Sequence, residues 1–166
     1  MWRKAGMTAL AVALTTAASI ATPAFAEERS CRGVMGAIKV DDLRVPHGAS
    51  CKLNGTRIEG SLRVERGARL NASRIRVVGN VHAEGAATVN VAASRIGGRI
   101  DILQSGRSML KRTFVKGDVQ YFENRGSIRI SRNRIDGNLQ CKANSPAPRG
   151  GRNDVQGNKE DQCSRL

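Results

Sequence analysis

The chain has 166 residues, a formal net charge of +14 and 3% aromatic residues. Its length fits one domain, and its scarcity of aromatics excludes the aromatic-rich core usual in a globular protein of this size. The charge directs attention to anionic partners.

Residues 1–26 read as a signal peptide. Arg3 and Lys4 supply the positive start, Ala9 to Ile20 the mostly apolar run, and Ala24-Phe25-Ala26 the small-x-small cleavage site. Ala and Thr dominate the run and Pro23 breaks it, so cleavage is expected rather than retention as an anchor. Cys31 follows no lipid-attachment motif, and no later stretch could span a bilayer. Cleavage takes two of the 28 basic residues and none of the 14 acidic ones, leaving +12. The expected location is periplasmic or extracellular.

Residues 27–50 read as an N-terminal cap, with Ala37 to Val40 and Leu43 to Pro46 forming a first irregular turn. Residues 51–142 are repeats. Gly60, Gly79, Gly98, Gly117, Gly137 and Gly157 recur at intervals of 19, 19, 19, 20 and 20 residues, the signature of a solenoid. Two residues before each glycine stand Ile58, Val77, Ile96, Val115, Ile135 and Val155. Two after stand Leu62, Val81, Ile100, Val119 and Leu139, and four after stand Val64, Ala83, Ile102, Tyr121 and Cys141. This alternation predicts a strand with one buried face, running through the glycine. A second short strand follows in most copies: Arg69 to Ala72, Thr88 to Val91 and Ser127 to Ile130.

Each copy then makes one turn of strand, corner, strand, corner. Such a turn buries nothing alone, so copies must stack. Residues 143–166 read as a C-terminal cap turn. Pro146, Pro148 and Gly150-Gly151 precede Lys159 and Asp161, which are polar where earlier copies are apolar. The expected fold is all-β: a single-stranded parallel β-helix, or β-solenoid, of about six turns of 19–20 residues, with capped, disulfide-clamped ends.

An even number of cysteines in an exported chain predicts disulfides. Three connectivities can be drawn for four cysteines, and the coil chooses among them. Cys31 and Cys51 lie 20 residues apart, Cys141 and Cys163 lie 22 apart, and each interval is about one turn. Cys51 and Cys141 are several turns apart, beyond the ~7 Å Cα limit for a bridge. The expected pairs are Cys31–Cys51 and Cys141–Cys163, one at each end. With no Cys-x-x-Cys and thiols at opposite ends, a metal site is not expected.

The rungs Ile58-Glu59-Gly60-Ser61-Leu62, Ile96-Gly97-Gly98-Arg99-Ile100, Val115-Lys116-Gly117-Asp118-Val119 and Ile135-Asp136-Gly137-Asn138-Leu139 resemble the Val-x-Gly-Asp/Asn-Val rungs of bactofilin-like coils. The wider layout is similar to that of small uncharacterised secreted bacterial parallel β-helix proteins. The shared features are a signal peptide, Gly48-Ala49-Ser50-Cys51, glycine rungs, and a cysteine tail ending Asn158-Lys159-Glu160-Asp161-Gln162-Cys163. The resemblance covers roughly residues 31–166. It implies a coil and no particular activity. The signal peptide and cysteines depart from bactofilins, so no cytoskeletal role is carried over.

The arginines align with the period. Arg57, Arg76, Arg95 and Arg134 stand three before the glycine; Arg74, Arg112, Arg132 and Arg152 stand five before it. Both offsets are outward and on one edge, so stacking is expected to gather most of these eight side chains into a strip. Glu59, Glu65, Glu84, Asp118 and Asp136 are expected to relieve some of the repulsion. One reading is a solvated face that keeps a β-rich protein soluble. The sharper one is a binding strip for an acidic polysaccharide or another cell-envelope polyanion. Nucleic acid fits less well, because the strip offers few aromatics for base stacking. Self-association through the coil ends is a further expectation. Thr56, Ser94, Thr113, Asn133 and Asn153, four before the glycine, form an inward polar column suited to bonding backbone groups between turns.

An enzyme is not expected, although polysaccharide lyases and hydrolases also use β-helices and are the alternative reading. Asp101, Asp118 and Asp136 do not converge as paired carboxylates would. His82 with Asp101 one turn on and Arg63 one turn back is the best catalytic hint, and it lacks a nucleophile. No cofactor is implied.

Overall fold

The apolar alternation becomes three stacked parallel sheets in the computed structural model, which describes residues 27–166; the expected signal peptide lies outside them. The eight-stranded sheet contains Glu28–Ser30, Asp42–Val45, Leu62–Val64, Val81–Glu84, Ile100–Leu103, Val119–Phe122, Leu139–Lys142 and Lys159–Asp161. A broad seven-stranded sheet contains Val34–Met35, Ser50–Asn54, Arg69–Ser73, Thr88–Ala92, Arg107–Lys111, Ile128–Ser131 and Arg149–Gly151. A narrow seven-stranded sheet contains only two-residue strands: Lys39–Val40, Arg57–Ile58, Arg76–Val77, Arg95–Ile96, Phe114–Val115, Arg134–Ile135 and Asp154–Val155. This is a β-solenoid of about seven turns. The expected number was six; the segment before Cys51 supplies the extra one, contributing strands to all three sheets.

The strand expected to run through the glycine is in fact two strands on different faces. Ile58 lies on the narrow sheet and Leu62 on the eight-stranded sheet, with Gly60 at the corner between them. The glycines stack along this corner, with Gly79 N–H donating to Gly60 C=O at 2.8 Å and Gly98 N–H to Gly79 C=O at 2.9 Å. A Cβ on Gly98 would stand 2.7 Å from the Gly79 carbonyl oxygen. The period therefore marks close backbone approach. Each turn thus has three sides where the alternation suggested two.

The inward side chains are aliphatic and almost wholly buried, from Leu43 through Ile58, Val77, Ile96 and Val119 to Leu139. Fully burying each Val, Leu or Ile is worth about 1.5–3 kcal/mol, enough in a seven-turn stack to replace an aromatic core. Tyr121 is the one buried aromatic among the described residues. Space for it comes from Ser108, which stands where the neighbouring turns place Val89 and Ile128. The Ser108 hydroxyl lies 3.4 Å from the phenol oxygen.

Two corners carry inward polar columns. In the expected one, Asn133 Oδ1 accepts the Thr113 N–H at 3.0 Å, and Nδ2 donates to Leu110 C=O at 2.9 Å and to Asn153 Oδ1 at 3.0 Å. The other, not anticipated, runs through Ser105, Asn124 and Asn144. Asn124 Nδ2 donates to Asn144 Oδ1 at 2.8 Å, and Asn144 Nδ2 to Gln162 Oε1 at 3.0 Å. Both columns satisfy backbone groups at corners, where the sheet ladders lapse.

Disulfides join Cys31 to Cys51 and Cys141 to Cys163, with Cα separations of 5.6 and 5.2 Å. Each closes a loop worth about 3 kcal/mol by chain-entropy arguments. At the C-terminal end Gln162 closes its asparagine column, Cys163 is buried, and half-buried Leu166 packs against the core.

Candidate functional site

The narrow sheet places every −3 residue side by side. In register run Lys39, Arg57, Arg76, Arg95, Phe114, Arg134 and Asp154. Adjacent strands lie about 4.8 Å apart. All four arginines of this column are exposed. Three members were not anticipated: Lys39 at one end, Asp154 at the other, and Phe114 as a rung within. The Arg95 guanidinium carbon lies 5.6 Å from the Phe114 ring centre, a cation–π contact. Phe114 and Asp154 stand three before a repeat glycine, as the arginines do, so their signal was available in the spacing; Lys39 precedes no repeat glycine and lies 18 residues before Arg57, so its place was not.

Arg74, Arg112, Arg132 and Arg152 occupy the adjoining corner and are also exposed. Their φ angles are 55, 51, 56 and 58°, in the left-handed region. This conformation turns the chain inward at the next residue, so each of these arginines immediately precedes the inward column of Ile75, Thr113, Asn133 and Asn153. The first full turn has Gly55 at the same place.

The eight expected residues therefore form two parallel columns on one edge. Arg74, Arg76, Arg95, Arg112 and Phe114 line a shallow groove of about 410 Å³. Lys111, Arg129, Arg132 and Arg152 line a second, of about 320 Å³, around the Gly150–Gly151 backbone.

Charge relief is smaller than the sequence suggests. Glu59 bonds to Arg57 and lies 3.7 Å from Lys39, and Asp136 lies 3.4 Å from Arg134. The hydrogen bond from Arg57 is the main cause that holds the Glu59 carboxyl below its usual range. The other three carboxylates serve elsewhere. Glu65 accepts the His47 N–H at 2.8 Å and pairs with Arg44 at 3.2 Å, so its carboxyl is also held low. Asp118 accepts the Asn138 N–H at 2.7 Å, and Glu84 faces His82. Among the described residues, Arg74, Arg76, Arg95, Arg112, Arg132 and Arg152 have no carboxylate oxygen within 4.0 Å. Arg74 instead donates to Asn54 Oδ1 at 2.7 Å.

The catalytic hint resolves into a cluster on the outer face of the eight-stranded sheet, in which Asp101 is buried. Arg63, His82 and Asp101 are in register on adjacent strands. His82 Nδ1 stands 3.9 Å from Asp101 Oδ2, beyond hydrogen-bond reach, while Arg99 Nε binds that oxygen at 2.8 Å. Asp118 and Asp136 flank the glycine corner, outside the strands that carry His82 and Asp101. Among the described residues no group of three or more His, Cys, Asp or Glu could hold a metal ion, and no helix is long and apolar enough to cross a membrane.

The fold and this edge together define the chain as a basic, disulfide-closed β-solenoid. Neither a family model, nor a curated protein, nor a solved structure matches it.

Proposed function

We propose that this protein is a non-enzymatic exported coil whose arginine edge binds an anionic cell-envelope polymer, such as an acidic polysaccharide. The observation that carries this reading is the set of six guanidiniums without a carboxylate neighbour, held on one edge by an in-register stack. Like charges on adjacent strands repel, and an extended polyanion laid along the edge would meet one or two cations per turn. A linear polymer suits a row that is long, shallow and repetitive better than a compact ligand does. Two disulfides support export, since such bonds persist in oxidising compartments.

The test is retention on an immobilised acidic polysaccharide as a function of salt. Binding by counterion release weakens steeply with ionic strength. Replacing Arg74, Arg76, Arg95 and Arg112 by Gln should remove most retention and flatten its salt dependence, with the circular dichroism spectrum unchanged. Unchanged retention by the folded variant refutes the proposal.

A further inference from the structure

The broad sheet has a charge pattern unlike the other two. No Asp or Glu stands in any of its seven strands. The eight-stranded sheet, by contrast, holds Asp101 and Glu160, and the narrow one ends on Asp154. Outward from the broad sheet stand Lys52, Arg69, Arg107, Lys111, Arg129 and Arg149. Between them lie short side chains such as Asn71, Asn90 and Ser131. With strands of up to five residues, roughly 17 Å long, this is the widest of the three sheets.

Toward the C-terminal end the face holds a groove of about 590 Å³, within the size range of small-ligand sites. Asn90, Met109, Arg129 and Arg149 run in register along it. Arg107 stands beside Met109, and Pro146 and Ala147 form one wall. Arg129 and Arg149 are directly opposed on neighbouring strands, a destabilising arrangement for like charges. Among the described residues, none of Arg107, Arg129 and Arg149 has a carboxylate oxygen within 4.0 Å. Three cations around a methionine and a proline–alanine wall fit an anion that carries an apolar body.

The geometry points to the broad face as a docking surface for anionic phospholipid: the Arg107–Arg129–Arg149 groove takes one phosphate headgroup with its glycerol and upper chain against Met109, and the wide, carboxylate-free sheet lies along the bilayer surface. A face without carboxylates meets a negative membrane with no repulsive contacts, and each basic side chain near the surface adds attraction. The groove contains none of the eight edge arginines, although Arg129 also lines the smaller groove beside Arg132 and Arg152; the edge variant below, which leaves Arg129 in place, separates the two proposals.

The experiment is co-sedimentation of the folded protein with vesicles of phosphatidylcholine alone or mixed with phosphatidylglycerol. Binding is expected only to the mixed vesicles. The triple variant Arg107→Gln, Arg129→Gln, Arg149→Gln should bind them roughly a hundredfold more weakly, at about 1 kcal/mol per basic side chain. The edge variant Arg57→Gln, Arg76→Gln, Arg95→Gln, Arg134→Gln should change this binding little. Met109→Asn should weaken it severalfold while leaving retention on the acidic polysaccharide unchanged.

Absence of binding by the wild-type protein, or equal loss in the triple and edge variants, overturns the inference. Loss of polysaccharide retention in the triple variant with vesicle binding intact assigns the face to a polymer and also overturns it. Full vesicle binding by Met109→Asn refutes the apolar part of the site.

Discussion

Replacing Asn133 by Leu tests whether the corner columns hold the turns together. Asn133 is buried, so whatever it leaves unpaired gains no water. Leu is close in volume but removes every side-chain polar atom. The Thr113 N–H, which Oδ1 accepts at 3.0 Å, loses its partner. An orphaned buried donor costs about 1–3 kcal/mol, and loss of the bond to Leu110 C=O adds about 1 kcal/mol. Asn153 Oδ1 keeps the Asn133 backbone N–H at 3.1 Å, so the damage is confined to one side of the turn. The sum is about 2–4 kcal/mol, a large fraction of a typical domain's stability.

Asn133→Ser is the control. Ser94, in the same column, accepts the Ile75 N–H at 3.2 Å and donates to Ala92 C=O at 2.7 Å, so a hydroxyl can do most of this work. The serine variant should lose about 1 kcal/mol. Urea unfolding followed by circular dichroism reads both. A leucine variant as stable as the serine variant refutes the assignment of the column as a backbone-satisfying device.

Gly98→Ala drives a Cβ to 2.7 Å from the Gly79 carbonyl oxygen and should cost about 1–3 kcal/mol or more through forced separation of turns. Gly36→Ala, with nothing within 4 Å of the added Cβ, should be neutral or slightly stabilising in the same melts. Burial pushes the Tyr121 phenol from 10.0 up to about 12, against a smaller opposing effect of its bond with Ser108. The unfolded chain therefore releases this proton first. The associated stability is complete below pH 10 and is lost as pH rises through 12, up to about 3 kcal/mol. Tyr121→Phe should flatten that alkaline decline, and an identical decline would show that the phenol does not drive it. Arg112→Gly relieves a left-handed residue at φ 51° and should add about 1 kcal/mol of stability while lowering polysaccharide retention. Lower thermal stability in that variant would indicate that the arginine side chain, rather than its charge on a ligand, is what the corner uses.

Much of the coil was legible in the chain because a stacked solenoid repeats its environment every turn. Ile58, Val77 and Ile96 meet equivalent neighbours, so spacing alone identifies them as inward. The same spacing brings Cys31 to Cys51 and aligns Arg57, Arg76 and Arg95. The second asparagine column was written at the same period, in Ser105, Asn124 and Asn144. It does not stand out in the chain because earlier turns place Ala86 and Gly67 there, which leaves only two asparagines and a serine to carry the period.

What the sequence alone determined was periodic: which side chains point inward, which cysteines can meet, and which arginines share a rung. The chain's path within one turn was decided by tertiary structure. Alternation continues unchanged across a tight corner, since Ile58 and Leu62 both point inward on either side of Gly60; a bend between faces and a straight strand therefore share one pattern. Only the stacked backbone, with one glycine's carbonyl against the next, shows that the chain turns there. That third side carries the arginine edge, which meets the carboxylate-free broad face at the corner of Arg74, Arg112, Arg132 and Arg152. Which carboxylates reach which arginines is likewise settled between turns, where Glu65 and Asp118 are engaged away from the edge that sequence order had placed them beside.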